Sequence, residues 1–186
     1  MNNIGTQEIK TKRLLLRKVK ESDYKDIYEY ASKEEVAKYV TWPPHKSIED
    51  TKALCKMWAD EYKKENTYRW AVVYNNRVIG VTDVVEFINC SAVLGWCIDS
   101  LYWNQGIMTE AAAAVRDYMF GKVNVDNIFA AYVTENIGSG RVMQKIGMHA
   151  VSHEEYYSVL KTECESELNG RPVSCCRMTK DEWKNL

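Results

Sequence analysis

The sequence predicts an α+β domain built on a mostly antiparallel sheet. Three observations carry that prediction. Short β-branched and aromatic runs joined by asparagine-bearing turns dominate residues 68–99, and an alanine-rich helical stripe follows at 107–120. Strand and helix patterns then alternate and end in a closing hairpin at 150–178. The 186 residues are 46% hydrophobic and 27% charged, the balance of an ordinary globule able to bury its own core, so one domain over 1–186 is expected. Only 3 Pro and 9 Gly argue against low-complexity disorder. No apolar run approaches the roughly 18 residues of a membrane span. A net charge of -1 lacks the basic excess of a nucleic-acid binder. With no basic-then-apolar pattern at its start, the chain is expected to be cytoplasmic.

The elements follow in order. Residues 9–19 alternate Leu14 and Leu16 against Leu15 and Arg17, which reads as a strand. Ser22 then caps a helix over 23–31, and a shorter helical stretch follows at 33–39. Pro43 and Pro44 forbid helix in the loop Thr41-Trp42-Pro43-Pro44-His45. Ser47, with Asp50 three residues on, opens a helix to about Lys64 that carries Ala53, Leu54, Met57 and Trp58 on one stripe. Strands at 68–74 and 78–88 are joined by Asn75-Asn76, a hairpin signal because Asn tolerates positive φ. Another strand occupies 92–99. Beyond the helix at 107–120, stopped by Gly121, come a strand at 128–134 and a helix at 140–146 closed by Gly147. Two final strands, 150–157 and 173–178, flank a Glu-rich loop with Asn169-Gly170.

Cys55, Cys90, Cys97, Cys164, Cys175 and Cys176 form no CxxC pair, and none has a His at zinc-finger spacing. They are expected to be ordinary thiols or small buried hydrophobes, with no metal bound.

Chemistry is expected at two strand-to-helix junctions about thirty residues apart. In the first, the strand through Leu94, Gly95, Trp96, Cys97 and Ile98 runs by way of Trp103 and Asn104 into the helix. The N–H groups of Gln105, Gly106, Ile107, Met108 and Thr109 then point at one place, an anion seat suited to a phosphate or pyrophosphate. Taken alone, a ligand-free turn explains that stretch at least as well, since one glycine is less specific than a GxGxxG run. In the second, Asn136 stands at a strand end with Ser139 three residues on. By themselves these are an N-cap and a first-turn hydroxyl. Together the two junctions present polar groups at strand C-termini, where α/β units bind ligands.

The order of these pieces resembles the GNAT acetyltransferase superfamily, and within it the branch holding the ribosomal-protein N-terminal acetyltransferases. The matching stretches are Thr11-Lys12-Arg13-Leu14-Leu15-Leu16-Arg17, Thr41-Trp42-Pro43-Pro44-His45, Gly95-Trp96, and Tyr102-Trp103-Asn104-Gln105-Gly106-Ile107-Met108-Thr109-Glu110-Ala111-Ala112. Glu135-Asn136, Ser139, Val142 and Lys145-Ile146-Gly147-Met148 complete them. The resemblance implies a sheet of about six to seven strands, splayed between two parallel ones and flanked by about four helices. It also implies acetyl transfer from acetyl-CoA, the co-substrate, to a primary amine by direct attack in a ternary complex. The acceptor is a peptide or protein N-terminus or a small amine. The implied cofactor contacts are Asn104, Gln105, Gly106, Ile107, Met108 and Thr109 for the pyrophosphate, Trp96, Cys97 and Ile98 for the pantetheine arm, and Asn136. Ser139 is implied near the sulfur as donor to the leaving thiolate. Trp42 and His45 would help select the substrate.

One departure concerns the general base. Many relatives carry a Glu just before the Gly-aromatic pair, where this chain has Val93 and Leu94. Asp83 and Glu86 on the preceding strand are the leading replacement candidates, with Glu154 and Glu155 further on. For each of the four a solvated surface carboxylate is the better reading of the residue alone, and the base stays unassigned. That gap keeps a second reading open, a non-catalytic acyl-CoA-binding or sensor protein on the same fold. A metal- or redox-dependent interaction domain is a third, resting on the cysteine count alone. The partners expected are acetyl-CoA and an amine, with no nucleic acid and no membrane, in a monomer or a homodimer.

Overall fold

A computed structural model describes residues 1–186, and the chain falls into two compact units, each with its own apolar core. The N-terminal unit comprises Asn3–Asp83 and Trp96–Ala114; the C-terminal unit comprises Met1–Asn2, Val84–Gly95 and Val115–Leu186.

The N-terminal unit is an antiparallel run of β1 (Ile9–Lys10), β2 (Leu15–Arg17), β3 (Arg69–Tyr74) and β4 (Arg77–Ile88), in that order. Leu16 faces Ile9 on one side and Val72 on the other, and Val72 faces Gly80. The single strand expected over 9–19 is instead two, because Thr11 turns the chain. Its hydroxyl accepts from the Leu14 N–H at 3.0 Å, and its own N–H donates to the Leu14 carbonyl at 3.0 Å. At the next hairpin Asn75 and Asn76 take φ 49° and 63°, the left-handed pair that a tight two-residue turn demands.

Three helices cover this ladder: α1 (Tyr24–Ala31), α2 (Glu34–Ala37) and α3 (Ile48–Glu61). Ser47 caps α3 as expected, accepting from the Asp50 N–H at 3.1 Å. Ser22 does not cap α1. It lies inside a 3-10 turn, Glu21–Asp23, that is organised by Asp23, whose carboxylate accepts from the Lys20 N–H and a bidentate Arg17 at 2.7 and 2.9 Å. Ile27, Tyr30, Val36, Cys55, Ala71 and Val81 fill the core between helices and strands. The strands β4 and β5 (Ser91–Ile98) and the helix α4 (Ile107–Tyr118) contribute residues to both units.

In the C-terminal unit β5 lies parallel to β6 (Asn127–Val133), and the further strands are β7 (His149–Val151), β8 (Glu167–Leu168) and β9 (Arg171–Thr179). The order runs β5-β6-β9-β7, with β8 joined to β9 by an Asn169-Gly170 hairpin. The parallel register covers three pairs and ends at Val93–Phe129, while β6 continues to Val133 opposite Val173 of β9. The helices are α5 (Ile137–Lys145), α6 (His153–Leu160) and α7 (Lys180–Lys184).

Residues 150–157 are therefore not one strand. β7 ends at Val151, and Ser152 caps α6 by accepting from the Glu155 N–H at 3.0 Å. The total is nine strands and seven α-helices against the expected six to seven and four. The surplus consists of two-residue β1 and β8, the brief α2 and α7, and α6, which takes the place of part of an expected strand. The fold class is the expected mixed, mostly antiparallel one. No helix is long and apolar enough to cross a membrane.

Candidate active site

The first junction is held by hydrogen bonds made by the side chains of Asp99, Lys33, Trp103 and Gln105. Where β5 ends, the Asp99 N–H donates to the Ile79 carbonyl at 2.8 Å. The buried Asp99 carboxylate accepts from Lys33 and from the Leu101 N–H at 3.1 Å. The indole N–H of Trp103 then donates to the Ile98 carbonyl at 3.0 Å, and the Gln105 amide donates to the Leu101 carbonyl at 2.9 Å. Asn104 and Gly106 both adopt left-handed backbone, φ 60° and 69°. Such alternation turns successive N–H groups toward one concave side, which is an anion-binding geometry.

Gly106 carries the first intrahelical bond of α4, accepting from the Glu110 N–H at 3.1 Å. The N–H groups of Ile107, Met108 and Thr109 therefore have no acceptor within the helix. A β-carbon at Gly106 would meet only the Arg13 guanidinium, 3.8 Å away, so the positive φ rather than crowding is what calls for glycine. Arg13 braces the loop from outside. Its Nη1 donates to the Gln105 carbonyl at 3.0 Å, and its Nε donates to Glu110 at 2.7 Å. Glu110 also accepts from the Thr11 hydroxyl at 2.6 Å and the Arg13 N–H at 2.8 Å. Burial pushes the Glu110 carboxyl up, but these donors outweigh it and hold it below its ordinary value. No local spacing signals Arg13 and Glu110, which lie 97 residues apart.

Trp96 and Cys97 are half-buried and Ile98 is buried, all on the last turn of β5. The Cys97 thiol is pushed up to about 12 by burial, so it stays protonated at neutral pH. It faces the Tyr30 hydroxyl, a fully buried phenol raised well above its ordinary value by burial and then by the neighbouring thiol. That Oη has no nitrogen or oxygen partner.

At the second junction Asn136 is the N-cap of α5, and its Oδ1 accepts from the Ser139 N–H at 3.2 Å. The helix therefore starts at Ile137 rather than Gly140, and Ser139 sits in its first turn, half-buried. The Asn136 N–H donates to the Val133 carbonyl at 2.7 Å, which fixes the residue at the end of β6.

The two candidate bases differ in surroundings. Asp83 lies on β4 in an ion pair with Arg69, Nε to Oδ2 3.2 Å, and Arg69 also binds Glu61 and stacks 4.7 Å over Trp58. Burial raises the Asp83 carboxyl despite the opposing arginine. Glu86, in the C-terminal unit, is exposed. In the proline loop Trp42 and His45 come together, ring centroids 5.3 Å apart, with Trp42 packed on the N-terminal core. His45 Nδ1 lies 2.7 Å from the Thr51 hydroxyl, and burial lowers its basicity against a weaker pull from Asp50.

The family model for the acetyltransferase (GNAT) domain matches residues 13–149. The uncharacterized N-acetyltransferase YnaD of Bacillus subtilis (strain 168) is 32% identical over 171 residues, covering 83% of this chain and 98% of that protein. Among solved structures, a GNAT-family acetyltransferase from Bacillus anthracis superposes with a TM-score of 0.77 at 25% identity, over 94% of this chain and 99% of that one. The ribosomal L7/L12 alpha-N-protein acetyltransferase RimL, solved with coenzyme A, shares the fold with a TM-score of 0.77 at 18% identity, over 95% and 99% of the two chains. With the family pattern spanning both junctions, the chain belongs to the GNAT acetyltransferase family and is an acyltransferase enzyme.

Proposed function

We propose that the protein moves the acetyl group of acetyl-CoA onto a primary amine, a peptide or protein N-terminus or a small-molecule amine, by direct attack in a ternary complex. The observation that carries this reading is the left-handed pair Asn104 and Gly106, which presents the N–H groups opening α4 and is locked by Arg13 and Glu110. In this reading the pyrophosphate takes the N–H groups of residues 105–109, and the backbone of Trp96, Cys97 and Ile98 takes the amides of the pantetheine arm. Asn136 also contacts that arm. RimL and its coenzyme A support the cofactor class.

The amine nitrogen attacks the thioester carbonyl, forming a C–N bond while the C–S bond breaks. The leaving thiolate takes a proton, for which Ser139 is the donor. A hydroxyl is a weak acid, so its contribution is stabilisation of the thiolate. The attacking amine must be neutral and gives up its proton to a carboxylate, directly or through water. Glu86 meets the need for access, whereas Asp83 is raised toward a useful basicity but engaged by Arg69. Trp42 supplies a flat wall for the acceptor beside His45.

Calorimetry with acetyl-CoA and with CoA tests the reading, and absence of binding by both at millimolar cofactor removes it. Gly106→Asp strains the positive φ of the loop and brings a carboxylate within reach of its Arg13 brace, and is expected to weaken binding by more than about tenfold. Ser139→Ala is expected to lower turnover roughly tenfold or more with cofactor affinity kept, and an unchanged rate takes Ser139 out of the mechanism. Val93 and Leu94 are buried apolar residues with no carboxylate between them, which favours the sensor reading as the alternative. Thiol release across a panel of peptides and amines separates the two, because a sensor binds acetyl-CoA and releases none.

A further inference from the structure

A cluster of soft donors stands in the C-terminal unit, on residues to which the acetyl-transfer reading gives no role. His153 is the first residue of α6, Cys164 lies between α6 and β8, and Cys175 is on β9. Their ligating atoms all lie within 4.8 Å of one another, and the two sulfurs are 3.1 Å apart. The three grade from exposed imidazole through half-buried to buried thiol. On the inner side Val93, Phe129, Tyr156 and Leu160 wall the sulfurs with apolar surface.

We propose that His153, Cys164 and Cys175 form a binding site for a borderline-soft divalent cation, zinc in the first instance. The donor chemistry selects the class. Two thiolates and a neutral imidazole suit zinc, whereas calcium and magnesium require oxygen donors. Two thiolate charges also neutralise the dication, which removes the cost of holding charge beside an apolar wall. Around a tetrahedral zinc, sulfur and nitrogen ligands stand about 3.6 Å apart. The cluster reaches that spacing by a small parting of the sulfurs and a rotation of the exposed His153 ring. Three protein ligands leave the fourth position to water. On binding, each thiol gives up its proton as its sulfur bonds the metal, so two protons are released and affinity rises with pH. The site would pin the segment after α6 to β9, binding three separate pieces of chain that no sequence spacing links.

The test uses the whole protein, reduced and stripped of metal, titrated with zinc against a chromophoric chelator and separately with cobalt(II). One equivalent is expected to bind, with release of two protons and, for cobalt, a thiolate charge-transfer absorption band. Cys164→Ser is expected to abolish that band. Because Cys175 is buried, the exposed His153 provides a second variant that leaves the fold intact by circular dichroism. His153→Ala is expected to weaken zinc at least tenfold while Cys90→Ser changes nothing. Failure of the reduced protein to take up metal overturns the proposal, as does wild-type zinc affinity in both His153→Ala and Cys164→Ser. Loss of both thiols to oxidised glutathione without any metal uptake overturns it too, and assigns the pair to a disulfide instead.

Discussion

Glu110 is the residue on which the cofactor loop depends. Its two oxygens take three donors from Thr11 and Arg13, and Arg13 in turn holds the Gln105 carbonyl. Glu110→Gln keeps one acceptor oxygen but turns an NH2 group toward the Arg13 guanidinium, donor against donor. The side chain is 19% exposed, so solvent screens part of the loss. About 1 kcal/mol is expected, seen as a roughly fivefold weaker affinity for acetyl-CoA. Because Glu110 positions the loop and does not touch the reacting atoms in this reading, kcat at saturating cofactor should stay near wild type. A fall in kcat with unchanged KM would place Glu110 in the chemistry instead.

At the scale of elements, the close approach of β4 and the end of β5 rests on Gly80. A β-carbon there would lie 2.4 Å from the Cys97 carbonyl oxygen and 3.0 Å from the Ile98 Cα. Both are backbone atoms that cannot swing aside, so Gly80→Ala must part the strands. A loss of about 1–3 kcal/mol and a lower thermal midpoint are expected, and an unchanged midpoint would show that the strands yield freely. Elements of this kind divide by how local their causes are. The Asn75-Asn76 hairpin and the Ser47 cap were legible because each is set by residues within four positions. Ser152 with Glu155 and Thr179 with Glu182 are caps of the same local type, each set by residues three positions apart, which the strand pattern read over 150–157 and 173–178 left unused. The Asn136 cap of α5 was weighed as a local reading and is what forms. Arg13 with Glu110, and His153 with Cys164 and Cys175, were not legible, because only the fold brings them together.

For the molecule as a whole, the response to acid combines groups with opposite signs. Burial lowers His45 from 6.5, so the unfolded chain takes the proton more readily than the folded one. Stability that is complete above 6.5 is then lost as pH falls toward the folded value. Glu110 and Glu182 also lie below their ordinary value of 4.5, in both cases because donors outweigh the upward push of burial. Their stabilisation is present above 4.5 and disappears as pH falls through the folded values. Asp83 runs the other way. Burial raises it from 3.8, so its contribution is fullest below that value and fades as pH rises through the folded one. The net charge of -1 at pH 7 turns positive on the same descent, adding repulsion to the carboxylate loss. Thermal midpoints measured from pH 8 downward should therefore show a shallow decline beginning below 6.5 and a steeper one below 4.5. In His45→Gln the shallow decline should vanish while the steep one remains, since glutamine does not titrate. A shallow decline that survives the substitution would move its origin away from the proline loop.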